Sequence, residues 1–442
     1  MKSIIKVKDV QIKNLKNVRL GKIKANLSFD SMENANVIGL YGQNGSGKTA
    51  VVEAFQILKS LLKCSKLPDT SKYLLAHGEK EMELYFDFLI SNKYGEFYVK
   101  YETTLINGDE RLRVKNEKIS YRENEPKKKF KELISKNDES TCIRNNHVNK
   151  LNEDVRVSVK VANKMAEENA TSFVFSKTLT EMYHEFFDDT AIELMKNLII
   201  DFNKDFHVID NLQNGLIVAN IMMPFSIHIE NKRGQIPYKL TETMLLEPSV
   251  FETLEKVIDQ INVVLKTIIP KLQIVINKIH EEKMENGESG VRFEFLSKKG
   301  SVELPLRCES AGILKIISVL STLIAVYNNA NACVVIDELD AGVYEYLLGE
   351  LLEVISENGK GQLYFTSHNL RILEVLPIKE LWFTTLNEEN RFMKLKGVKK
   401  LSNARDIYLR AIQLGGQNEE IYGETSMFDI KRSFRRAGAV NV

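Results

Sequence analysis

Gly42-Gln43-Asn44-Gly45-Ser46-Gly47-Lys48-Thr49 fills every fixed position of the phosphate-binding pattern G-x-x-x-x-G-K-[ST]. Before it, Val37-Ile38-Gly39-Leu40-Tyr41 reads as a short buried strand. After it, Val51, Ala54, Phe55, Leu58, Leu61 and Leu62 recur at helical spacing. Strand, glycine loop and helix together are the setting the pattern requires. The glycines let backbone N–H groups curl around a phosphate with no Cβ in the way, and the helix start adds the positive end of its dipole. Gly42, Asn44, Gly45, Ser46, Gly47, Lys48 and Thr49 are therefore the expected ATP contacts. Lys48 is assigned to the β- and γ-phosphates, and Thr49 to Mg2+ through its hydroxyl.

A second set of elements lies far down the chain. Arg307-Cys308-Glu309-Ser310-Ala311-Gly312 precedes Ile313 to Tyr327, a run apolar nearly all round that reads as a buried helix with Ser310 as its N-cap. Ala332-Cys333-Val334-Val335-Ile336 reads as a buried parallel strand and runs straight into Asp337-Glu338. After a phosphate loop, such a pair of carboxylates suits a Mg2+ shell (Asp337) and the orientation of an attacking water (Glu338). Gln362 to Thr366 is another short strand, followed by Ser367 and His368. His368 is placed to contact the γ-phosphate.

Composition bounds the rest. With 442 residues, 43% of them hydrophobic and 27% charged, the chain has the makings of an ordinary globular protein of two or three domains. A net charge of +1 gives no global argument for nucleic-acid binding. Cys64, Cys142, Cys308 and Cys333 are scattered without metal-ligand spacing, which suits a reducing, cytoplasmic setting. Residues 1–30 do not resemble a signal peptide, and no apolar run is expected to span a membrane.

Between the two halves, Ile4 to Ile12 alternates like a half-buried strand, and Asn14 to Val18 reads as a turn into a second strand over Lys22 to Phe29. Glu81 to Leu105 folds back at Asn92-Lys93-Tyr94-Gly95, and Asn107-Gly108-Asp109 turns into Leu112 to Tyr121. An antiparallel sheet is expected there. The basic run Lys127-Lys128-Lys129-Phe130-Lys131 reads as a solvated helix face. In Tyr183 to Asp189, His184, Glu185, Asp188 and Asp189 read as a loop and the first turn of a helix over Ile192 to Ile200, since no second ligand cluster accompanies them. Leu216 to Ile229 reads as a strand broken at Pro224. Apolar residues from Phe251 to Ile279 follow helical spacing, and Pro270 should kink or break that helix. The basic tail Lys431-Arg432-Ser433-Phe434-Arg435-Arg436 reads as a disordered solubilising end.

The phosphate loop, Glu309-Ser310-Ala311-Gly312, Val334 to Glu338, Leu339 to Gly342 and His368 occur in an order that resembles the ABC class of P-loop ATPases, in its SMC-like and OLD-like branch. Within it, the chain is similar to the stand-alone ATPase subunits of bacterial anti-phage defence systems. That resemblance implies an α/β fold: an ABC-type head with an antiparallel β lobe and an inserted, mainly helical domain. The segments are then 1–121, 122–290, 291–400 and a C-terminal helical tail over 401–442. It further implies ATP and Mg2+ as cofactors and slow hydrolysis. Two heads would sandwich the nucleotide in a homodimer or higher oligomer, with Ser310 and Gly312 acting on ATP held by the other copy's Lys48. The 74 residues after His368 leave no room for a nuclease domain, so a separate effector protein is expected. The other reading that the resemblance leaves open is a DNA repair or recombination ATPase.

Overall fold

A computed structural model describes residues 3–138, 140–144, 146–150, 152–210, 215–217, 221–229, 232–396, 403–423 and 425–439. In chain order the strands and longer helices are β1 (Ile4–Leu15), β2 (Val18–Lys24), β3 (Asn36–Tyr41), α1 (Lys48–Leu62), β4 (Glu81–Asn92), β5 (Gly95–Asn107), β6 (Leu112–Glu123), β7 (Lys131–Lys136), β8 (Thr141–Ile143), β9 (Asn146–His147), α2 (Glu153–Asn169), α3 (Asp189–Lys196), β10 (Phe206–Ile209), β11 (Met222–Ile229) and β12 (Lys232–Lys239). They continue as β13 (Met244–Leu246), α4 (Pro248–Ile268), β14 (Leu272–Lys283), β15 (Ser289–Lys299), β16 (Val302–Pro305), α5 (Ala311–Asn328), β17 (Cys333–Ile336), α6 (Glu345–Asn358), β18 (Gln362–Thr366), β19 (Leu381–Thr384), β20 (Phe392–Met393), α7 (Ala404–Leu414) and α8 (Met427–Ala439).

The central sheet runs in the order β10-β17-β18-β3-β19-β20, with β10 through β19 parallel and β20 antiparallel at one edge. Its strands are short and buried on both faces, as parallel strands covered by helices are. Gly39 sits opposite Phe365 and next to Leu381; a Cβ there would lie 2.8 Å from the Phe365 ring, so a bare backbone is needed where the rings cross the sheet. Phe55 of α1 packs its ring 4.7 Å from that of Tyr364, tilted by 51°, and helps fix the first helix on the sheet.

A second sheet, β2-β1-β4-β5-β6-β7-β8-β9 among the described residues, is antiparallel throughout. Leu84, Phe86, Phe88, Val99 and Tyr101 alternate inward and join α1 in one core. The β4–β5 hairpin pairs Asn92 with Gly95, at the turn where the sequence placed it. Two details differ. The strand after the first turn runs over Val18–Lys24 rather than Lys22 to Phe29, because Val18 and Ile23 are the side chains that reach the core. The basic run at Lys127 to Lys131 leads from a turn into β7, which begins at Lys131, and is not on a helix: β7, β8 and β9 extend the sheet past residue 121.

Over 122–290 helices share the chain with strands. Asp188 caps α3, its carboxylate accepting from Ala191 N at 2.9 Å, and no metal-ligand group of His, Cys, Asp or Glu forms among the described residues. β10 crosses into the central sheet beside β17. The amphipathic pattern from Phe251 ends as a helix at Ile268, two residues before Pro270; Leu272, Val275 and Ile279 then belong to β14. Phe251, Leu254, Ile258, Ile261 and Leu265 pack with Phe225, Phe293, Phe295 and Leu314 in a separate core. The strand expected over Leu216 to Ile229 is observed as β11 from Met222; Pro224 is accommodated opposite Pro237 in the two-stranded pair β11–β12, and 218–220 lie outside the described residues. The basic tail is helical: α8 carries Lys431, Arg432, Arg435 and Arg436 with Met427, Phe428 and Phe434 all exposed. One helix among the described residues, Ala311–Asn328, is long and apolar enough to cross a membrane, and it is packed into the core.

Glu117 of β6 ties the antiparallel sheet to the segment after α2. Its buried carboxylate accepts from Tyr101 Oη at 2.5 Å, Ser172 Oγ at 2.6 Å, Phe173 N at 2.7 Å and Val174 N at 3.2 Å. Removing one acceptor that serves several buried donors costs roughly 1–3 kcal/mol for each group left unpaired. Glu117→Ala should therefore lower the unfolding free energy by about 3 kcal/mol or more in urea titrations. A loss under about 1 kcal/mol would show that the donors are satisfied in some other way.

Candidate functional site

The phosphate loop leaves the C-terminal end of β3. Asp337 and Glu338 leave the end of β17, and Ser367 and His368 the end of β18. These strands are neighbours in the order β17-β18-β3, so three loops distant in sequence open on the same rim of the sheet. They surround a pocket of about 450 Å3 lined by Asn44, Gly45, Ser46, Gly47, Lys48, Thr49, Asp337, Glu338, Thr366 and His368, with Lys16, Asn17 and Ala50 beside them.

The loop is held in shape by its own backbone and by the strand next to it. Gly47, the cap of α1, has φ 94°, and a Cβ there would lie 2.8 Å from Val18 Cγ2. A Cβ on Gly42 would lie 1.6 Å from Thr384 Oγ1. That hydroxyl of β19 contacts the Tyr41 carbonyl at 3.2 Å and Ser46 Oγ at 2.6 Å, and Ser46 Oγ in turn donates to the Gln43 carbonyl at 2.7 Å. Lys48 Nζ donates to the carbonyls of Gly42 at 2.8 Å and Gln43 at 3.0 Å, across the mouth of the loop. Burial holds the Lys48 ammonium below the usual lysine range, while attraction to Asp337, Glu338 and Asp340 works the other way.

Across the pocket, Thr366 Oγ1 donates to Asp337 Oδ1 at 2.5 Å and accepts from Glu338 N at 2.8 Å. One threonine thus fixes both acids. Asp337 is fully buried and Glu338 is exposed toward the pocket. Glu338 has φ 47°, in the left-handed region that non-glycine residues seldom occupy, and the hydrogen bond from its N–H helps hold it there. His368 N donates to Asp340 Oδ2 at 3.0 Å. Burial first, and then the Lys48 charge, lower the His368 pKa, so its ring is neutral at pH 7.

Of the expected site residues, Asn44 to Thr49, Asp337, Glu338 and His368 come together at this pocket. Gly42 lies buried beneath it, against Thr384. Ser310 and Gly312 are not among its lining residues. Ser310 caps α5, with Ile313 N donating to its Oγ at 3.4 Å, and is exposed; Gly312 packs against the Gly342 carbonyl.

Sequence reading passed over several participants. Lys16 and Asn17 stand at the β1–β2 turn, which was legible as a turn; Asn17 Nδ2 donates to the Gly45 carbonyl and Lys16 pairs with Glu53. Thr366 was visible only as a strand-end threonine. Arg391, buried, donates to the Thr385 carbonyl at 2.6 Å and the Asn17 carbonyl at 2.5 Å, bracing that turn from β20. Gln43 Oε1 accepts from Gly423 N at 2.9 Å, which lays the C-terminal segment beside the loop. No local sequence signal announces these last two.

The profile of a protein family described as "AAA domain, putative AbiEii toxin, Type IV TA system" matches residues 37–374. No curated protein matches the chain. Among solved structures, 88% of the chain is similar to 98% of an SMC head bound to the C-winged helix domain of ScpA, at 12% identity and a TM-score of 0.44. Another 88% match covers 99% of the SMC head domain from Thermotoga maritima, at 12% identity and a TM-score of 0.38. The recombination mediator protein RecF with ATP, from the RecFOR pathway, is covered over its whole length by 89% of this chain, at 13% identity and a TM-score of 0.38.

Thr366→Val keeps the side-chain shape and removes the hydroxyl between the two acids. Hydrogen bonds to charged groups are worth roughly 1.5–3 kcal/mol, so Mg2+-dependent affinity for a fluorescent ATP analogue should fall about tenfold or more with the fold intact. Unchanged affinity in the presence of Mg2+ would show that Asp337 does not depend on this hydroxyl.

Proposed function

The chain belongs to this AAA-domain family, and on that footing we propose that it binds ATP with Mg2+, hydrolyses it slowly to ADP and phosphate in an assembly of at least two copies, and regulates a separate effector protein in defence against phage. The observation that carries the ATPase reading is the convergence of Lys48, Thr49, Asp337, Glu338 and His368 on one pocket from the ends of three adjacent parallel strands.

Each residue has a chemical task there. The N–H groups of the loop and the start of α1 receive the phosphates, and Lys48 supplies the cation nearest the bond that breaks. Thr49 and Asp337 are oxygen donors of the kind that hold Mg2+, and both line the pocket. When bound, the ion offsets negative charge developing on the transferred phosphoryl group. Glu338, exposed at the pocket, orients a water for in-line attack on the γ-phosphorus and takes up its proton. His368, neutral, marks the γ-phosphate position with a hydrogen bond. Ser310 and Gly312 open a helix N-terminus, are not among the residues lining this pocket, and are assigned to the nucleotide of the partner copy. The defence setting is supported by the family's description, which names a putative AbiEii toxin and a Type IV TA system.

Three variants test these assignments. Lys48→Ala should abolish nucleotide binding in equilibrium titrations, and retained affinity would remove the phosphate-loop role. Glu338→Gln should bind ATP normally while turnover falls by at least 100-fold, on the order of 2.7 kcal/mol of transition-state stabilisation. Ser310→Arg should bind ATP yet fail to assemble when the nucleotide is added, as read by light scattering. For the effector, tagged Glu338→Gln captured from its host with ATP should retain a fixed, nuclease-resistant protein partner; nucleic acid without such a partner would instead favour a DNA repair role.

A further inference from the structure

Lys315 is the fifth residue of α5, five positions after Ser310, and its side chain is fully buried. Taking an ammonium out of water costs several kcal/mol unless anionic groups compensate it. The acids whose charge acts on Lys315 are Asp340 first, then Glu338 and Asp337, and burial still brings its pKa down to about 8. They are the same acids that act on Lys48 from the phosphate-loop side. The turn from Asp337 to Asp340 is therefore within electrostatic reach of two lysines, one on the phosphate loop and one on the helix that begins at Ser310.

Steric contact joins the same two parts. A Cβ on Gly312 would lie 2.2 Å from the Gly342 carbonyl oxygen, so the first turn of α5 and the end of the acidic turn are in direct backbone contact. Gly342 has φ 76°, which lets the chain bend away there. Asp340 is bonded on one side only: Oδ2 accepts from His368 N at 3.0 Å, while Oδ1 is buried and has no hydrogen-bond partner among the described residues.

We propose that Lys315 is a positioning residue of the hydrolytic site, whose buried ammonium holds the Asp337–Asp340 turn against the start of α5 and so sets where Glu338 and His368 face the pocket. The inference rests on the ATPase reading above. Lys315 does not line the pocket and touches no nucleotide; it acts through the acids.

The test compares the full-length wild type, Lys315→Met, Lys315→Arg, Asp340→Asn and the Lys315→Met/Asp340→Asn double variant by steady-state ATP hydrolysis, with melting temperature as the control. Lys315→Met should lower kcat at least tenfold and change KM less than about threefold. Lys315→Arg, which keeps the charge, should recover part of that loss. The double variant should be no slower than the slower single one, because both remove the same interaction. Wild-type kcat in Lys315→Met, a loss that merely tracks the folded fraction, or losses that multiply in the double variant would each overturn the proposal while leaving the ATPase reading in place. Should Lys315→Met not fold, Asp340→Asn decides: a lowered kcat at wild-type melting temperature supports the role, and wild-type kcat removes it. If the wild type binds ATP and never hydrolyses it, the ATPase reading falls, and the role of Lys315 with it.

Discussion

Ile336 pairs with Phe365, and Phe365 with Gly39, in parallel register across three adjacent strands. Those pairings bring the ends of β17, β18 and β3 to the same rim, staggered by one residue from each strand to the next. The phosphate loop and the acidic pair begin directly beyond their strands and His368 follows β18 after Ser367, so the register of the sheet sets the distances between them. A slip of one residue in β17 would turn Asp337 from one face of the sheet to the other, because side chains alternate along a strand. The buried contacts of Phe55 with Tyr364, and of Gly39 with the Phe365 ring, secure the register from above and within.

Around that rim the polar groups are joined rather than independent. Thr366 grips Asp337 and the Glu338 backbone, His368 is fastened to Asp340, and Ser46 is fastened to Thr384 of the neighbouring strand. The loop that receives phosphate and the acids that face it are both anchored on the strands beneath. For the proposed ATPase this is the preorganisation that electrostatic catalysis requires: charges and dipoles placed before the substrate arrives need no rearrangement when it does. The strained backbone at Glu338 is tolerated because its neighbours over-determine it.

Much of this was legible along the chain. Gly42 to Thr49 carries its own meaning, since glycine spacing, lysine and hydroxyl all follow from what a phosphate needs. The apolar run into Asp337-Glu338 reads as a buried strand with acids at its tip. Hairpins at Asn92 and Asn107 were visible from alternation and turn residues. Less was legible where local signals conflict or are short. β10 is four residues long, too brief to show a period, yet it completes one edge of the central sheet. The helical spacing from Phe251 continued past Pro270 into β14, because a half-buried strand can supply apolar residues at spacings that also suit a helix. Charged strands β7 to β9 looked like solvated sequence, since one face of an antiparallel sheet can be polar.

The sequence by itself determined the residue types on which the proposed chemistry rests: a glycine-rich loop with a lysine and a hydroxyl, two adjacent carboxylates at a strand end, and a histidine after the next strand. These are properties of residue types at fixed spacing along a strand and a turn, and they need no knowledge of distant contacts. The tertiary structure alone decided which other residues make that chemistry geometrically definite. Thr366, Arg391, Gln43 and Lys315 have no local pattern, because their partners lie tens or hundreds of positions away. Ser310 likewise reads as a helix cap in either setting; only folding shows that it is exposed and does not line the pocket formed by its own chain.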